Sequence, residues 1–368
     1  MSEAMSETTN HRSVLDINDL TVAYKTFNRN VVALSNVSLD VPRATIIAAV
    51  GESGCGKSTL GLSIIGLLQR PPAMVTGGEI VFEGRDILKV REAELSRLRG
   101  TGISMIFQEP MSSLDPVYTV GQQLTEAIEV RENRKQNRDY GPFERTTAHH
   151  ESHNLASRLL GTNNVRGALN TARRHYAAGA VEALRNVQIS DPERVLDKYP
   201  HELSGGMAQR VMIAGALVER PSFLIADEPT SALDVTTQAQ VLSLMRELRD
   251  VVGTSILFIT HDLAVAAQIA DQVIVMYAGE IVEQSSVKEI FQEHLHPYTE
   301  GLLNSFSSKY KDEGTMEAIS GDVPNLKNLP SGCRFHPRCK YAMEKCRLEH
   351  PEIRETHQRH KVACHLIS

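Results

Sequence analysis

Hydrophobic positions along this chain cluster in short runs, and the densest of them predict strands of a buried sheet. Thr45-Ile46-Ile47-Ala48-Ala49-Val50 is apolar almost throughout, as a parallel strand covered on both faces requires. Ser222–Ala226, Ser255–Thr260 and Gln272–Met276 have the same character. Upstream, Leu15-Asp16-Ile17 and Leu20-Thr21-Val22-Ala23-Tyr24 read as short strands, and Val37-Ser38-Leu39-Asp40-Val41 alternates with period two. An apolar helix is predicted from Ser58 to Leu68 and another from about Ala208 to Glu219. Residues 112–220 are mainly helical in pattern and predict a second lobe.

Polar stretches set the remaining boundaries. Residues 1–13 are polar and are expected to form a flexible leader without the apolar core of an export signal. Residues 131–178 are rich in Arg, Asn and His and only weakly periodic, which predicts a surface insertion, with a regulatory or partner contact as the alternative. From about Glu283 the chain carries Pro and Gly breaks around 321–337, then a cysteine cluster. The expected organisation is a nucleotide-binding α/β domain over 14–283 and an extension over 284–368.

Composition narrows the function classes. With 39 basic and 45 acidic residues in 368, the net charge of −6 offers no bulk attraction for nucleic acid or anionic lipid. No apolar run approaches the ~20 residues that span a bilayer, so membrane association is expected through partner proteins. Cys55 stands alone, whereas Cys333, Cys339, Cys346 and Cys364 crowd the tail with spacing C-x5-C-x6-C-x17-C. That cluster reads as a metal or iron–sulfur site rather than a disulfide framework.

The strand at 45–50 leads into Gly51-Glu52-Ser53-Gly54-Cys55-Gly56-Lys57-Ser58-Thr59, a complete G-x-x-x-x-G-K-[ST] loop, and then into a helix. Its glycines let backbone N–H groups converge on phosphate oxygens at a helix start. Lys57 supplies a point charge for the β- and γ-phosphates, and the Ser58 hydroxyl is placed for Mg2+. Cys55 fills space in the loop. The strand Phe223-Leu224-Ile225-Ala226 delivers Asp227, expected on magnesium, and Glu228, expected to polarise the attacking water. Leu203-Ser204-Gly205-Gly206-Met207 precedes a helix; Ser204 is a natural N-cap, and a Ser-Gly-Gly helix start is also an anion site.

With these motifs in this order, residues 14–283 resemble the ATP-binding subunits of ABC transporters. The resemblance implies a P-loop NTPase (RecA-like) α/β core with an antiparallel β-subdomain and a helical subdomain. Leu203–Met207 matches the family signature, with Met207 in place of the usual final Gln. Gln108 matches the loop that senses the γ-phosphate and magnesium, Ser231-Ala232-Leu233-Asp234 the dimer-interface loop, and His261 the switch histidine. Tyr24 lies where the family stacks an aromatic on adenine, with Phe27 close by.

His296-Pro297-Tyr298-Thr299, the run Leu329–Cys339 and the closing Val362-Ala363-Cys364-His365 look like the extension of oligopeptide/dipeptide importers. The same likeness favours a [4Fe–4S] cluster on the four tail cysteines, with Zn2+ or four reduced thiols in a small packed knob as the alternatives. It further implies an ATP-sandwich dimer with a second such subunit, in which Ser204, Gly205 and Gly206 seal the partner's ATP. Two permease subunits and, indirectly, a solute-binding protein complete the expected assembly at the cytoplasmic face of the cell membrane. Oligosaccharide or nickel import is the nearer rival and a soluble ABC ATPase acting on nucleic acid or ribosomes the more distant one. Against the latter stand a single motor, no sustained heptads and no basic stripe.

Overall fold

Strands Ser13–Lys25 (β1) and Asn30–Pro42 (β2) mix buried apolar with exposed positions, β2 alternating over its second half, and pair antiparallel. The computed structural model describes residues 13–27, 29–135, 176–218, 220–231, 233–307, 319–356 and 359–367; residues 1–12 of the expected leader and most of the 131–178 insertion lie outside them, while Ser13 already belongs to β1. The described chain divides into two units. One holds the residues up to Arg91, Ser222–Glu228 and Arg246 onward; the other holds Glu92–Pro221 and Pro229–Met245.

In the first unit, Ile46–Val50 (β3) is buried at every position, as its unbroken apolar run predicts. Ala73–Phe82 (β4) and Arg85–Asp86 (β5) join the first two strands in an antiparallel sheet ordered β2-β1-β4-β5. In the second unit, Ile103–Ile106 (β6) precedes the helical region, which includes Val120–Lys135, a helix over 176–186 and Gly205–Val218. Phe223–Asp227 (β7), Ser255–Thr260 (β8) and Gln272–Tyr277 (β9) return to the first unit and lie parallel to β3 in the order β9-β3-β8-β7.

Glu280–Ser286 (β10) then turns back antiparallel to β9. From the tail, Arg354–Glu355 (β11) and Lys361–Val362 (β12) continue the same sheet, with Val362 opposite Glu283. The extension therefore adds strands to the main sheet. Tyr277, Tyr298 and Phe335 pack with ring centroids 4.6 to 5.4 Å apart, which ties the Pro297–Ser307 helix and the cysteine-bearing segment to β9. Fully buried Glu283 anchors the last residues: it pairs with His360 Nε2 at 2.7 Å and accepts from the Leu295 N–H at 2.5 Å and from the Thr299 hydroxyl. Burial raises its carboxyl pKa, but these hydrogen bonds outweigh that and hold it below the usual range.

Two helix boundaries differ from the sequence reading for visible reasons. The first helix spans Lys57–Ile64 rather than running to Leu68. Gly66, at φ 69, closes it: Leu67 N–H reaches the Leu62 carbonyl at 2.9 Å and Gly66 N–H reaches Ser63 at 3.2 Å. The signature helix starts at Gly205, because Ser204 Oγ accepts from the Met207 N–H at 3.3 Å and caps it.

Candidate active site

Parallel register brings the reactive segments to one edge of the first unit. Val50 is level with Thr260, and Asp227 is level with Ile259, so Gly51, Glu228 and His261 follow the carboxyl ends of three neighbouring strands. That edge is where an open α/β sheet binds its ligand.

The loop at 51–59 needs glycine at two places. A Cβ on Gly51 (φ 155) would lie 2.3 Å from the Met276 carbonyl oxygen, and one on Gly56 (φ 107) would lie 2.9 Å from that of Ala33. Ser53 and Gly54 face solvent, Thr59 is half-buried, and Cys55 is sealed beneath the loop, where burial pushes its thiol pKa up. Lys57 is only 7% exposed; its Nζ donates to the Gly51 carbonyl at 2.8 Å and the Glu52 carbonyl at 3.0 Å. The ammonium is thus held inside the curve of the loop.

Asp227 is buried at the end of β7 and accepts from the Ser58 hydroxyl, while its Oδ1 has no hydrogen-bond partner. Desolvation raises its pKa; the Ser58 bond and the Lys57 charge oppose this, and the Glu228 charge adds to it. An orphaned carboxylate oxygen beside a hydroxyl suits a hard cation such as Mg2+, which takes oxygen ligands. Glu228 adopts φ 46, an uncommon left-handed conformation for a non-glycine, while its N–H still bonds the Ile259 carbonyl at 2.9 Å. The turn points its carboxylate, 14% exposed, at His261 Nδ1 3.0 Å away. His261 is 60% exposed and its ring remains open to solvent.

The other expected residues are described on their own units. Gln108 is exposed just after β6 in the second unit. Ser204 and Gly205 are exposed at the start of a 14-residue helix, with Gly206 half-buried behind them and Leu233 Cδ2 3.6 Å from its Cβ position. Asp234 caps the Val235–Glu247 helix through the Thr237 N–H at 3.0 Å. Tyr24 sits on β1 opposite Val31 and Ala73 with its ring part-exposed; Phe27 is fully exposed.

Two contributors carried no sequence signal of their own. Gln209 is fully buried and donates to the Pro229 carbonyl at 2.8 Å, fixing the loop that follows Glu228 within the second unit. Glu52, an unspecified position of the loop motif, accepts from Lys57 Nζ through its carbonyl at 3.0 Å.

The tail cysteines are all free thiols. Burial pushes Cys333 up to about 11, with the nearby Cys346 and Cys364 adding to it; burial likewise raises Cys339 and Cys364, each also influenced by Cys346. The thiols therefore share one neighbourhood. Among the described residues, however, no group of three or more His, Cys, Asp or Glu side chains is gathered as a metal-holding set. The side chains as placed do not form the expected iron–sulfur centre.

Comparison with known proteins agrees with this geometry. The ABC transporter family model matches residues 34–231, and the model for the C-terminal region of oligopeptide/dipeptide transporters matches 282–346. The chain is 42% identical over 354 residues to the oligopeptide transport ATP-binding protein AppD of Bacillus subtilis, covering 96% of this chain and 97% of that protein. It is 40% identical to the dipeptide transport ATP-binding protein DppD of Haemophilus influenzae, covering 96% and 95%. A solved dimeric ATP-binding cassette in a post-hydrolysis state with ADP and Pi superposes with a TM-score of 0.56 at 27% identity, covering 74% of this chain and 98% of that one. The chain belongs to the ATP-hydrolysing subunits of ABC transporters, of the oligopeptide/dipeptide importer type.

Proposed function

We propose that this chain powers peptide import as one half of an ATP-sandwich dimer, seated on two permease subunits at the cytoplasmic face of the membrane and supplied by a solute-binding protein. The observation that carries the catalytic part is the buried Asp227 with its orphaned oxygen beside Ser58 and Lys57, next to a Glu228–His261 pair at the same strand ends. No described helix is long and apolar enough to cross a membrane, in keeping with force delivered through partners.

Lys57 and the loop N–H groups bind the phosphates, and Tyr24 faces the adenine. Asp227 and Ser58 would hold Mg2+, which when bound would neutralise charge on the β- and γ-phosphates. Glu228 accepts the proton of the attacking water, and His261 holds that carboxylate through Nδ1 and orients the γ-phosphate with its exposed face. Ser204, Gly205 and Gly206 of the partner present a capped helix start, whose N–H groups and dipole favour the same phosphate. Loss of the γ-phosphate removes the charge joining the two halves and reopens them.

In the full importer, Ser204→Glu places a carboxylate where the partner's phosphate must sit. Nucleotide still binds the loop at 51–59, but ATP-dependent closure is lost, as read by cross-linking across the dimer. Closure at wild-type levels would remove Ser204 from the interface.

For the tail we propose that Cys333, Cys339, Cys346 and Cys364 hold a [4Fe–4S] cluster, with Zn2+ the alternative. Support comes from their shared neighbourhood and free thiols. Protein purified without oxygen is expected to be brown and to contain iron and acid-labile sulfide; zinc alone in elemental analysis ends the iron–sulfur reading.

A further inference from the structure

Glu52 joins the C-terminal extension to the catalytic lysine through three of its groups. Its backbone N–H donates to the Tyr298 hydroxyl at 2.9 Å, and Tyr298 is fully buried. Its carboxylate receives both arms of Arg338, Nη1 to Oε2 at 2.7 Å and Nη2 to Oε1 at 3.0 Å. Its carbonyl accepts from Lys57 Nζ at 3.0 Å. The Arg338 side chain is 5% exposed and is itself fixed: Nε donates to the Ser320 carbonyl at 3.1 Å, and the guanidinium lies 5.8 Å from the Tyr277 ring centroid.

A second arm meets the loop from another direction. Arg334 donates to the Ala278 carbonyl and pairs with Glu280 at 2.8 Å. The adjoining Gly279 N–H donates to the Cys55 carbonyl at 2.9 Å, and a Cβ on Gly279 would lie 3.3 Å from Arg334 Nη1. The two arginines immediately follow Cys333 and precede Cys339 in sequence.

We infer that the extension positions the phosphate loop: Arg338 and Tyr298 hold Glu52 and, through its carbonyl, fix where Lys57 presents its charge. A buried ion pair contributes little net stability compared with apolar side chains of the same volume. A two-pronged fork does fix orientation, because both N–H bonds are satisfied in one geometry only. Arg338 and Tyr298 are thus positioning residues for nucleotide binding, contributed by a segment outside the nucleotide motifs. This rests on the reading of 51–59 as the ATP loop.

The test uses the complete importer in membranes or nanodiscs. Arg338→Met, which keeps the apolar volume and loses the fork, is expected to raise KM for ATP by about tenfold, within the usual span of coupling between sites, with a much smaller change in kcat. Direct ADP titration should weaken in parallel. Arg338→Lys restores part of the affinity, since it returns the charge without the fork. If Arg338→Met fails to assemble, Glu52→Gln, which keeps the shape and removes the carboxylate charge, is expected to move KM in the same direction. Unchanged KM and ADP affinity in the assembled variants, with any loss confined to yield or kcat, would overturn the inference and leave a packing contact. A wild-type complex without ATPase activity would instead sink the ATP-loop reading itself.

Discussion

Glu228→Gln is expected to cut ATP turnover by about a thousandfold, the scale of a lost general base, while ATP stays bound. The amide fills the same space at the end of β7 and can still bond His261 Nδ1, now 3.0 Å from the carboxylate. It cannot take the proton from water. The backbone at φ 46 is set by the turn and by the Glu228 N–H bond to Ile259, neither of which the substitution alters. Binding and closure therefore survive, and the variant accumulates with ATP trapped between two subunits. Phosphate release, together with the nucleotide retained on the purified complex, checks this. Wild-type release rates would strip Glu228 of its role.

Lys57→Ala is expected to act on binding instead, weakening ATP by about a hundredfold or more, the cost of truncating one partner of a desolvated charge contact. Lys57 is almost wholly buried, so no neighbouring cation on the surface can lean in to replace it. The change also leaves the Gly51 and Glu52 carbonyls, at 2.8 and 3.0 Å from Nζ, without that donor, and the loop loses its internal brace. Isothermal titration of the assembled complex measures the loss, and affinity within a few-fold of wild type would contradict the assignment.

The parts of this molecule written in local sequence were the easiest to see. Ile46–Val50 is one apolar run leading into a glycine loop and a helix, and Phe223–Asp227 ends on two carboxylates, so strand, loop and acid each carry their own signal. The early stop of the Lys57–Ile64 helix was also local, in Gly66, but an apolar pattern running on to Leu68 hid it. Other features depend on residues far apart in the chain. Glu52 and Arg338 are separated by 286 positions, and no periodicity connects them. Gln209 looks like any polar residue of the signature helix until its side chain is seen bonded to Pro229. The crowding of four cysteines in the tail suggested a metal centre, yet closeness in sequence does not by itself gather thiols, and among the described residues no metal-holding set is gathered.

The proposal that one nucleotide is shared by two subunits is examined directly by a structure of the complete importer carrying Glu228→Gln, trapped with ATP and magnesium. The account predicts a triphosphate held by Lys57 of one subunit, with Ser204 and Gly206 of the apposed subunit, or their counterparts, against its γ-phosphate. ATP bound at 51–59 with every Ser-Gly-Gly turn far from any triphosphate would contradict it.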